Sequence, residues 1–195
     1  MTSLGALPPP STFVIGIALS AGGLEPLRTL VEQLPCTLAA SVVVIQHAQG
    51  SSHVPGILRH VTALRVKFAE NGESLRVLTV YVGPPDRHLV LTVDGKLVLA
   101  DAPPLRFMRP SADWFFDSMA AAFADRSIAI VLSGRLSDGA RGASSVHRAG
   151  GRVMVQDPTT CRFPSMPLAT INAGDVDRVL SPVQLGRALA KARWS

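Results

Sequence analysis

The sequence predicts an α/β fold: a doubly wound, mostly parallel sheet with flanking helices and a small antiparallel hairpin. Two observations favour this class. Apolar, β-branched runs alternate with segments of helical periodicity, and 47% of the 195 residues are hydrophobic whereas only 17% are charged. Strands that helices cover on both faces read as continuous apolar runs. Alternating runs of this kind therefore indicate a parallel sheet between layers of helices.

The first third of the chain predicts two strand-and-helix units. Residues 13–19 form an apolar run that ends in a Ser-Ala-Gly-Gly turn, and residues 24–34 then show helical spacing. The β-branched run 41–46 predicts a central parallel strand that stops at His47. A second helix is expected over residues 54–62.

The middle of the chain is expected to be partly antiparallel. Short alternating segments cover residues 78–82, 88–92 and 96–100. The dipeptide Asp94-Gly95 between the last two segments is a strong signal for a two-residue hairpin turn.

The last third returns to strand and helix alternation. Ser111 is a good N-cap for a helix through about residue 124, and residues 127–132 predict a third buried strand. That strand leads into a loop where Asp138 is expected to start the next helix. The remaining predictions are a short strand over 152–155, an irregular proline-containing stretch, and a closing helix over 182–192.

Length and composition bound the remaining organisation. We expect one domain over residues 12–195, preceded by a flexible tail over residues 1–11 that contains three consecutive prolines. The net charge of +5 comes mainly from scattered arginines without a basic run, so nucleic-acid binding is not predicted. The two cysteines, Cys36 and Cys161, fit a reducing compartment, and no signal peptide or membrane-inserted segment is indicated. A cytoplasmic location is therefore expected.

Three polar residues follow the long predicted strands. Ser20 ends the first, His47 ends the second and Asp138 follows the third. Since the carboxyl ends of parallel strands share one rim, these residues are expected to converge there. A serine hydroxyl needs an imidazole to take its proton and a carboxylate to orient that imidazole, so the set predicts a nucleophilic serine enzyme. The backbone amides of Ala21 and Gly22 are candidate oxyanion donors.

Each of these residues also has a structural interpretation. Ser20 alone fits the N-cap of the following helix, His47 fits a polar residue closing a strand, and Asp138 fits a cap at a helix start. Their joint placement favours catalysis. His53 and His60 have no carboxylate or thiol partner nearby in sequence, and no metal or organic cofactor is predicted.

Several segments, in one order over about residues 13 to 182, resemble the CheB methylesterases. The serine turn resembles the nucleophile turn of that family, and later segments resemble its histidine strand, its Gly-Pro turn, its helix start, its aspartate loop and the segment after it. These segments are residues 14–25, 44–47, 82–88, 109–113, 133–142 and 156–167. The resemblance implies a doubly wound fold and a triad of Ser20, His47 and Asp138.

The resemblance also implies an activity and a partner. CheB enzymes hydrolyse glutamyl methyl esters on the signalling domains of methyl-accepting chemotaxis receptors, and glutamine deamidation is a possible second activity. These receptor domains are acidic helical bundles, so a basic rim of Arg109, Arg135 and Arg141 would favour docking, although the same arginines fit solvated surface. The regulator form of the family carries a receiver domain, for which this chain has no room. We expect either a stand-alone protein or an excised domain.

The chain departs from the family pattern at three places. Leu19 stands where a small residue is usual before the serine and could crowd that turn. Arg135-Leu136 replaces Met-Gly in the aspartate loop; if that glycine is left-handed, Leu136 costs about 1–2 kcal/mol or changes the loop path. Phe163-Pro164-Ser165 replaces an apolar pair and glycine, which reshapes the rim opposite the nucleophile.

Three alternatives remain open at this point. The chain could be a degenerate, non-catalytic receptor-binding module that keeps the fold while the departures spoil the site. It could hydrolyse a different ester, because altered loops change specificity without touching the triad. Nucleotide binding at the Ser20 to Gly23 turn is a weaker alternative, since no lysine follows the glycines and no full dinucleotide fingerprint is present.

Overall fold

The computed structural model describes residues 13–47, 51–104 and 108–192, so the predicted tail over residues 1–11 lies outside the described residues. Ten strands and six α-helices are assigned in this part of the chain. The strands are β1 Val14–Leu19, β2 Ser41–Gln46, β3 Arg65–Phe68, β4 Glu73–Ser74, β5 Thr79–Val82, β6 His88–Leu91, β7 Lys96–Ala100, β8 Ser127–Val131, β9 Arg152–Gln156 and β10 Arg178–Leu180. The helices are α1 Leu24–Glu32, α2 Val54–Arg59, α3 Ala112–Phe123, α4 Ala140–Arg148, α5 Ser165–Asn172 and α6 Pro182–Ala190.

Seven strands form one parallel sheet in the order β10-β9-β8-β1-β2-β5-β3. The strands β4, β7 and β6 form a separate antiparallel sheet. The chain winds outward from β1 through β2 to β3 and β5, then returns to β8 on the other side of β1. The strand order reverses there, which is the position where open α/β sheets hold their functional residues. The predicted fold class is confirmed.

Alternate residues of β1 face two different cores. Ile15, Ile17 and Leu19 are fully buried in the cluster that includes residues of α1, α2 and α6. Val14 and Ala18 face the opposite cluster, which α3 supplies with aromatic side chains. Helices therefore cover the sheet on both faces, and this accounts for the continuous apolar character of β1.

The sequence misses several short elements and one helix. The strands β3, β4 and β10 have two to four residues each, too few to show a clear alternation. The helix α5 occupies part of the stretch expected to be irregular. Its Pro167 is the third helical residue, in the first turn, where a backbone N–H has no partner within the helix and proline is tolerated.

No helix in the described ranges is both long and apolar enough to cross a membrane.

Candidate active site

Ser20 is the first residue after β1 and begins a tight turn. The Gly23 amide donates to the Ser20 carbonyl (3.0 Å), and Gly22 has a φ of +73°, which glycine adopts at little cost. The helix α1 begins at Leu24 with Gly23 as its N-cap residue. The interpretation of Ser20 as a helix N-cap is therefore wrong, because the serine lies three residues before the N-cap residue.

The segment after β8 packs closely on this turn. A Cβ atom added to Gly134 would lie 3.0 Å from the Cβ of Ser20 and would overlap the sulfur of Met166. The Ser20 amide donates to the carbonyl of Ser133 (3.1 Å). The main chain of the serine is thus fixed from the β8 side, while no residue in the described ranges accepts from the amides of Ala21 and Gly22. Those two amides remain available to bind an oxyanion.

The bulky Leu19 does not prevent the turn from forming. Its side chain is fully buried in the core beneath α1. Gly23 makes room for it, since a Cβ at position 23 would lie 2.7 Å from the Cβ of Leu19. The expected crowding is thus relieved by the second glycine of the turn.

His47 follows β2 and lies beside the serine turn. Its amide donates to the carbonyl of Leu19 (3.2 Å), which continues the parallel register in which Leu19 pairs with Gln46. Adjacent strands are about 4.8 Å apart, so residues 20 and 47 are neighbours at the rim. The ring Nε2 lies 2.6 Å from Oδ2 of Asp138. Within the described residues, the buried Nδ1 has no hydrogen-bond partner.

This arrangement defines which imidazole nitrogen can act as a base. A carboxylate only accepts hydrogen bonds, so Nε2 carries the proton that is donated to Asp138. The lone pair is then on Nδ1, which is the nitrogen that would take a proton from a hydroxyl.

Asp138 is held by four donors. Its Oδ2 accepts from His47 and from the amide of Ala112 (2.6 Å). Its Oδ1 accepts from the hydroxyl of Ser111 (2.9 Å) and the amide of Asp113 (3.1 Å). Burial raises the pKa of Asp138, but the hydrogen bond from His47, the electrostatic attraction to this ring when it is protonated, and the bonds from the two amides outweigh burial and hold the pKa below its usual value. The group is therefore an ionised carboxylate at neutral pH.

The expectation that Asp138 starts its own helix is wrong. The helix α4 begins at Ala140, and its N-cap residue is Gly139, which has no side chain to cap the helix. The carboxylate instead accepts from the first amides of α3, where the helix dipole favours a negative charge.

Asp113 makes the reverse contact. Its buried Oδ1 accepts from the amides of Gly139 (3.0 Å) and Gly142 (2.8 Å) at the start of α4. Burial raises the pKa of this carboxyl group, as does the nearby charge of Asp138. Asp138 thus accepts from the start of α3, the helix that contains Asp113, and Asp113 accepts from the start of α4, the helix that follows Asp138. We call these two sets of contacts the reciprocal caps.

His88 supports the reciprocal caps, although the sequence gives it no role. Its Nδ1 accepts from the amide of Ser111 (3.3 Å), and its Nε2 donates to the carbonyl of Pro103 (3.1 Å). The ring packs on Trp114 at a centroid distance of 4.6 Å. Only the fold brings these residues together, so no sequence spacing could have indicated this histidine.

We expect His88 to make stability depend on pH. Burial lowers the pKa of His88 from its ordinary value of 6.5, so the unfolded chain binds the proton first. The stability contributed by neutral His88 is fully present above about pH 6.5 and falls as the pH drops through that value. Urea unfolding between pH 7.5 and pH 5 should show that the free energy of unfolding falls less with pH in His88→Asn than in the wild type. The amide oxygen of the asparagine can replace Nδ1 as the acceptor. An unchanged slope would contradict this origin, and His60→Asn on the surface is the control.

Leu136 adopts the left-handed conformation anticipated for a glycine. Its φ is +66°, and 63% of its surface is exposed. We expect Leu136→Gly to raise the free energy of unfolding by about 1 kcal/mol, because the strain of a Cβ in this region is removed. Urea unfolding measures the change. The same substitution at Leu168, an exposed position within α5, should instead lower stability by about 1 kcal/mol. Equal losses at both positions would contradict the assignment of strain.

The three arginines expected at the rim differ in their partners. Arg141 pairs with Asp117 (2.7 Å) and lies 3.7 Å from Asp113. Arg109 contacts the carbonyl of Ala102 (3.3 Å) and lies 3.7 Å from Asp101. The exposed Arg135 has its guanidinium over the ring of Phe163, 4.6 Å from the centroid. Arg162, which the sequence did not single out, lies over the same ring at 5.6 Å.

The structure therefore gathers Ser20, His47 and Asp138 at the carboxyl ends of β1, β2 and β8. A hydroxyl, an oriented imidazole and an ionised carboxylate in this order have the chemistry needed to attack an activated carbonyl.

Comparison with known proteins gives a consistent result. The family model described as CheB methylesterase matches residues 15–189. A Leptospira interrogans protein, provisionally named a protein-glutamate methylesterase/protein-glutamine glutaminase, is 34% identical over 86% of this chain and 88% of its own length. The protein-glutamate methylesterase FrzG of Myxococcus xanthus is 33% identical over 94% of this chain.

The fold comparison agrees. The crystal structure of the Thermotoga maritima CheB methylesterase catalytic domain superposes with a TM-score of 0.89 and 31% identity, covering 92% of this chain and 97% of that one. The chain spans 56% of the length of FrzG and 51% of another Myxococcus xanthus methylesterase/glutaminase. It thus corresponds to about half of those two relatives.

Proposed function

Because the chain belongs to the CheB methylesterase family, we propose that it hydrolyses glutamyl methyl esters of a protein substrate, with Ser20 as nucleophile, His47 as base and Asp138 as orienting acid. The observation that carries the proposal is the placement of His47. Its Nε2 is bonded to Asp138, which leaves the lone pair on Nδ1. Nδ1 is buried and has no hydrogen-bond partner among the described residues, Ser20 included, so the Ser20 hydroxyl must turn toward it for proton transfer.

The proposed reaction has two stages. The Ser20 hydroxyl attacks the ester carbonyl while Nδ1 of His47 takes its proton, and the charge of Asp138 stabilises the imidazolium that forms. The amides of Ala21 and Gly22 bind the oxyanion. His47 then gives its proton to the leaving methoxide, and methanol departs. A water, activated by His47, hydrolyses the acyl-enzyme and leaves a free glutamate carboxylate.

The substrate belongs to the same proposal. The names of the family and its members support glutamyl methyl esters of a protein as the target. The resemblance to CheB enzymes implies that this protein is a chemotaxis receptor and that the reaction takes place in the cytoplasm. Glutamine side chains would react by the same route with ammonia as the leaving group, in line with the double name of several relatives. A chemoreceptor signalling domain is therefore the first protein substrate to test.

The test is acylation by a fluorophosphonate probe, with the adduct located by mass spectrometry. We expect labelling at Ser20 in the wild type and loss of labelling in Ser20→Ala and His47→Ala. Ser165→Ala removes an exposed hydroxyl near the rim and should label normally. Methanol release from a methylated receptor domain then tests the substrate.

The outcomes separate the alternatives. A folded wild-type protein that takes no label would support the non-catalytic module. Labelling at Ser20 without methanol release from the receptor would instead support a serine hydrolase of another ester.

A further inference from the structure

We propose that Arg135 and Arg162, both placed over the ring of Phe163, form a carboxylate-binding subsite that recognises an acidic side chain flanking the esterified glutamate. We call these three residues the arginine pair and its ring. The inference rests on the proposed function, because it specifies which protein segments the same site accepts.

The ring is fixed to the nucleophile turn. The amide of Phe163 donates to the Ser133 hydroxyl (3.1 Å), and its carbonyl accepts from the amide of Gly134 (2.9 Å). The Ser133 hydroxyl also reaches the carbonyl of Ala21 (3.1 Å). Phe163 and the residues around Ser20 are therefore parts of one hydrogen-bonded frame.

Arg162 also lies directly against this turn. A Cβ atom on Gly22 would lie 2.9 Å from the Cβ of Arg162 and 3.0 Å from Cδ2 of Phe163. The same arginine lines a cavity of about 520 Å³ together with Gly22 and Glu25. A substrate group in this cavity would thus lie next to the turn that presents the nucleophile.

The two guanidinium groups lack carboxylate partners. In the described ranges, neither Arg135 nor Arg162 has an ion pair, whereas Arg109 and Arg141 do. The nearby carboxylate of Glu25 is already bonded by Arg28 (2.6 Å). The charges of the arginine pair are therefore available to a ligand.

The chemistry of the pair favours a carboxylate. A guanidinium that stacks on an aromatic ring is held in one orientation, and the N–H donors at the edge of the guanidinium stay free to bind a ligand. That fork matches the two oxygens of a carboxylate. The esterified glutamate itself is neutral, so the acid that the pair recognises must be a neighbouring side chain of the substrate.

The experiment measures binding separately from catalysis. Fluorescent peptides would carry one glutamate methyl ester and either Glu or Gln at a flanking position, with the four positions on each side tested in turn. Fluorescence anisotropy with Ser20→Ala protein gives Kd without turnover. We expect Kd to be about tenfold lower for Glu at one or more positions, and this preference to weaken as salt is raised.

The variants Arg135→Gln and Arg162→Gln test the assignment. Each should reduce the preference for Glu, and the double variant should abolish it while leaving Kd for the Gln peptide unchanged. Arg187→Gln, on the exposed side of α6, is the matched control and should keep the preference. Thermal melting of each variant shows whether it remains folded.

Two results would overturn the inference. One is that the Ser20→Ala protein with both arginines intact binds the Glu and Gln peptides with equal affinity at every position. The other is a double variant that weakens both peptides equally, which would show a purely structural role. A preference for Glu without methanol release from the wild type would support the subsite and reject the proposed reaction, so the two failures are distinguishable.

Discussion

The variant Asp138→Asn is expected to lower kcat by about 10³- to 10⁴-fold, the loss seen when a triad carboxylate becomes an amide. Asp138 fixes the imidazole through Nε2 of His47 (2.6 Å). An asparagine that turned its NH₂ toward this nitrogen would favour the tautomer with the proton on Nδ1. That tautomer cannot take a proton from Ser20.

The same variant carries a structural penalty. Each oxygen of Asp138 accepts one backbone amide, Oδ2 from Ala112 and Oδ1 from Asp113. Either orientation of an asparagine therefore points its NH₂ group at a backbone N–H. A buried donor left without an acceptor costs about 1–3 kcal/mol, and we expect the free energy of unfolding to fall by that amount.

Two measurements separate the effects. Steady-state methanol release gives kcat, and urea unfolding gives the free energy of unfolding under the same conditions. Asp117→Asn changes a nearby carboxylate that pairs with Arg141, and it should leave kcat within about twofold because a partly exposed ion pair contributes little. An Asp138→Asn enzyme with normal kcat would show that Asp138 does not orient His47.

Gly142→Ala is expected to lower the free energy of unfolding by about 3 kcal/mol or more. An added Cβ would lie 2.7 Å from both the carbonyl oxygen of Asp113 and the Cβ of Phe116. Both atoms belong to the body of α3 and cannot rotate away. Relief requires α4 to move away from α3, which lengthens the bonds that Gly139 and Gly142 donate to Asp113.

The control for this variant is Gly56→Ala in α2. A Cβ at position 56 meets no atom within 4 Å, so this substitution should raise stability by about 0.5–1 kcal/mol. Urea unfolding of the two variants tests the contrast. If Gly142→Ala were as stable as the wild type, the close approach of α3 and α4 would not limit the fold.

The sequence predicts the central part of the fold well. The strands β2 and β7 have the predicted bounds, and β1 differs by one residue. Long runs that are buried on both faces carry a strong local signal. The strand β10 has three residues, two of them exposed, so only its pairing with β9 makes it a strand.

The candidate site is likewise only partly predictable from the sequence. Ser20 and His47 follow strands that pair directly, so their proximity can be predicted from the order of the strands. The partners of Asp138 come from the start of α3, about 25 residues earlier in the chain, and no local pattern specifies them. The contacts of Arg162 likewise depend on how distant loops pack.

The reciprocal caps affect how sequences of relatives should be interpreted. Asp138 accepts from the start of α3 as well as from His47, so a descendant that lost catalysis would still lose about 1–3 kcal/mol of stability without this aspartate. Selection for folding alone would preserve it. Ser20 contributes no side chain to those contacts, so its hydroxyl is free to disappear once turnover no longer matters. Among relatives of this chain, a replaced serine therefore indicates that the activity has been lost, whereas a retained aspartate does not show that the activity is present.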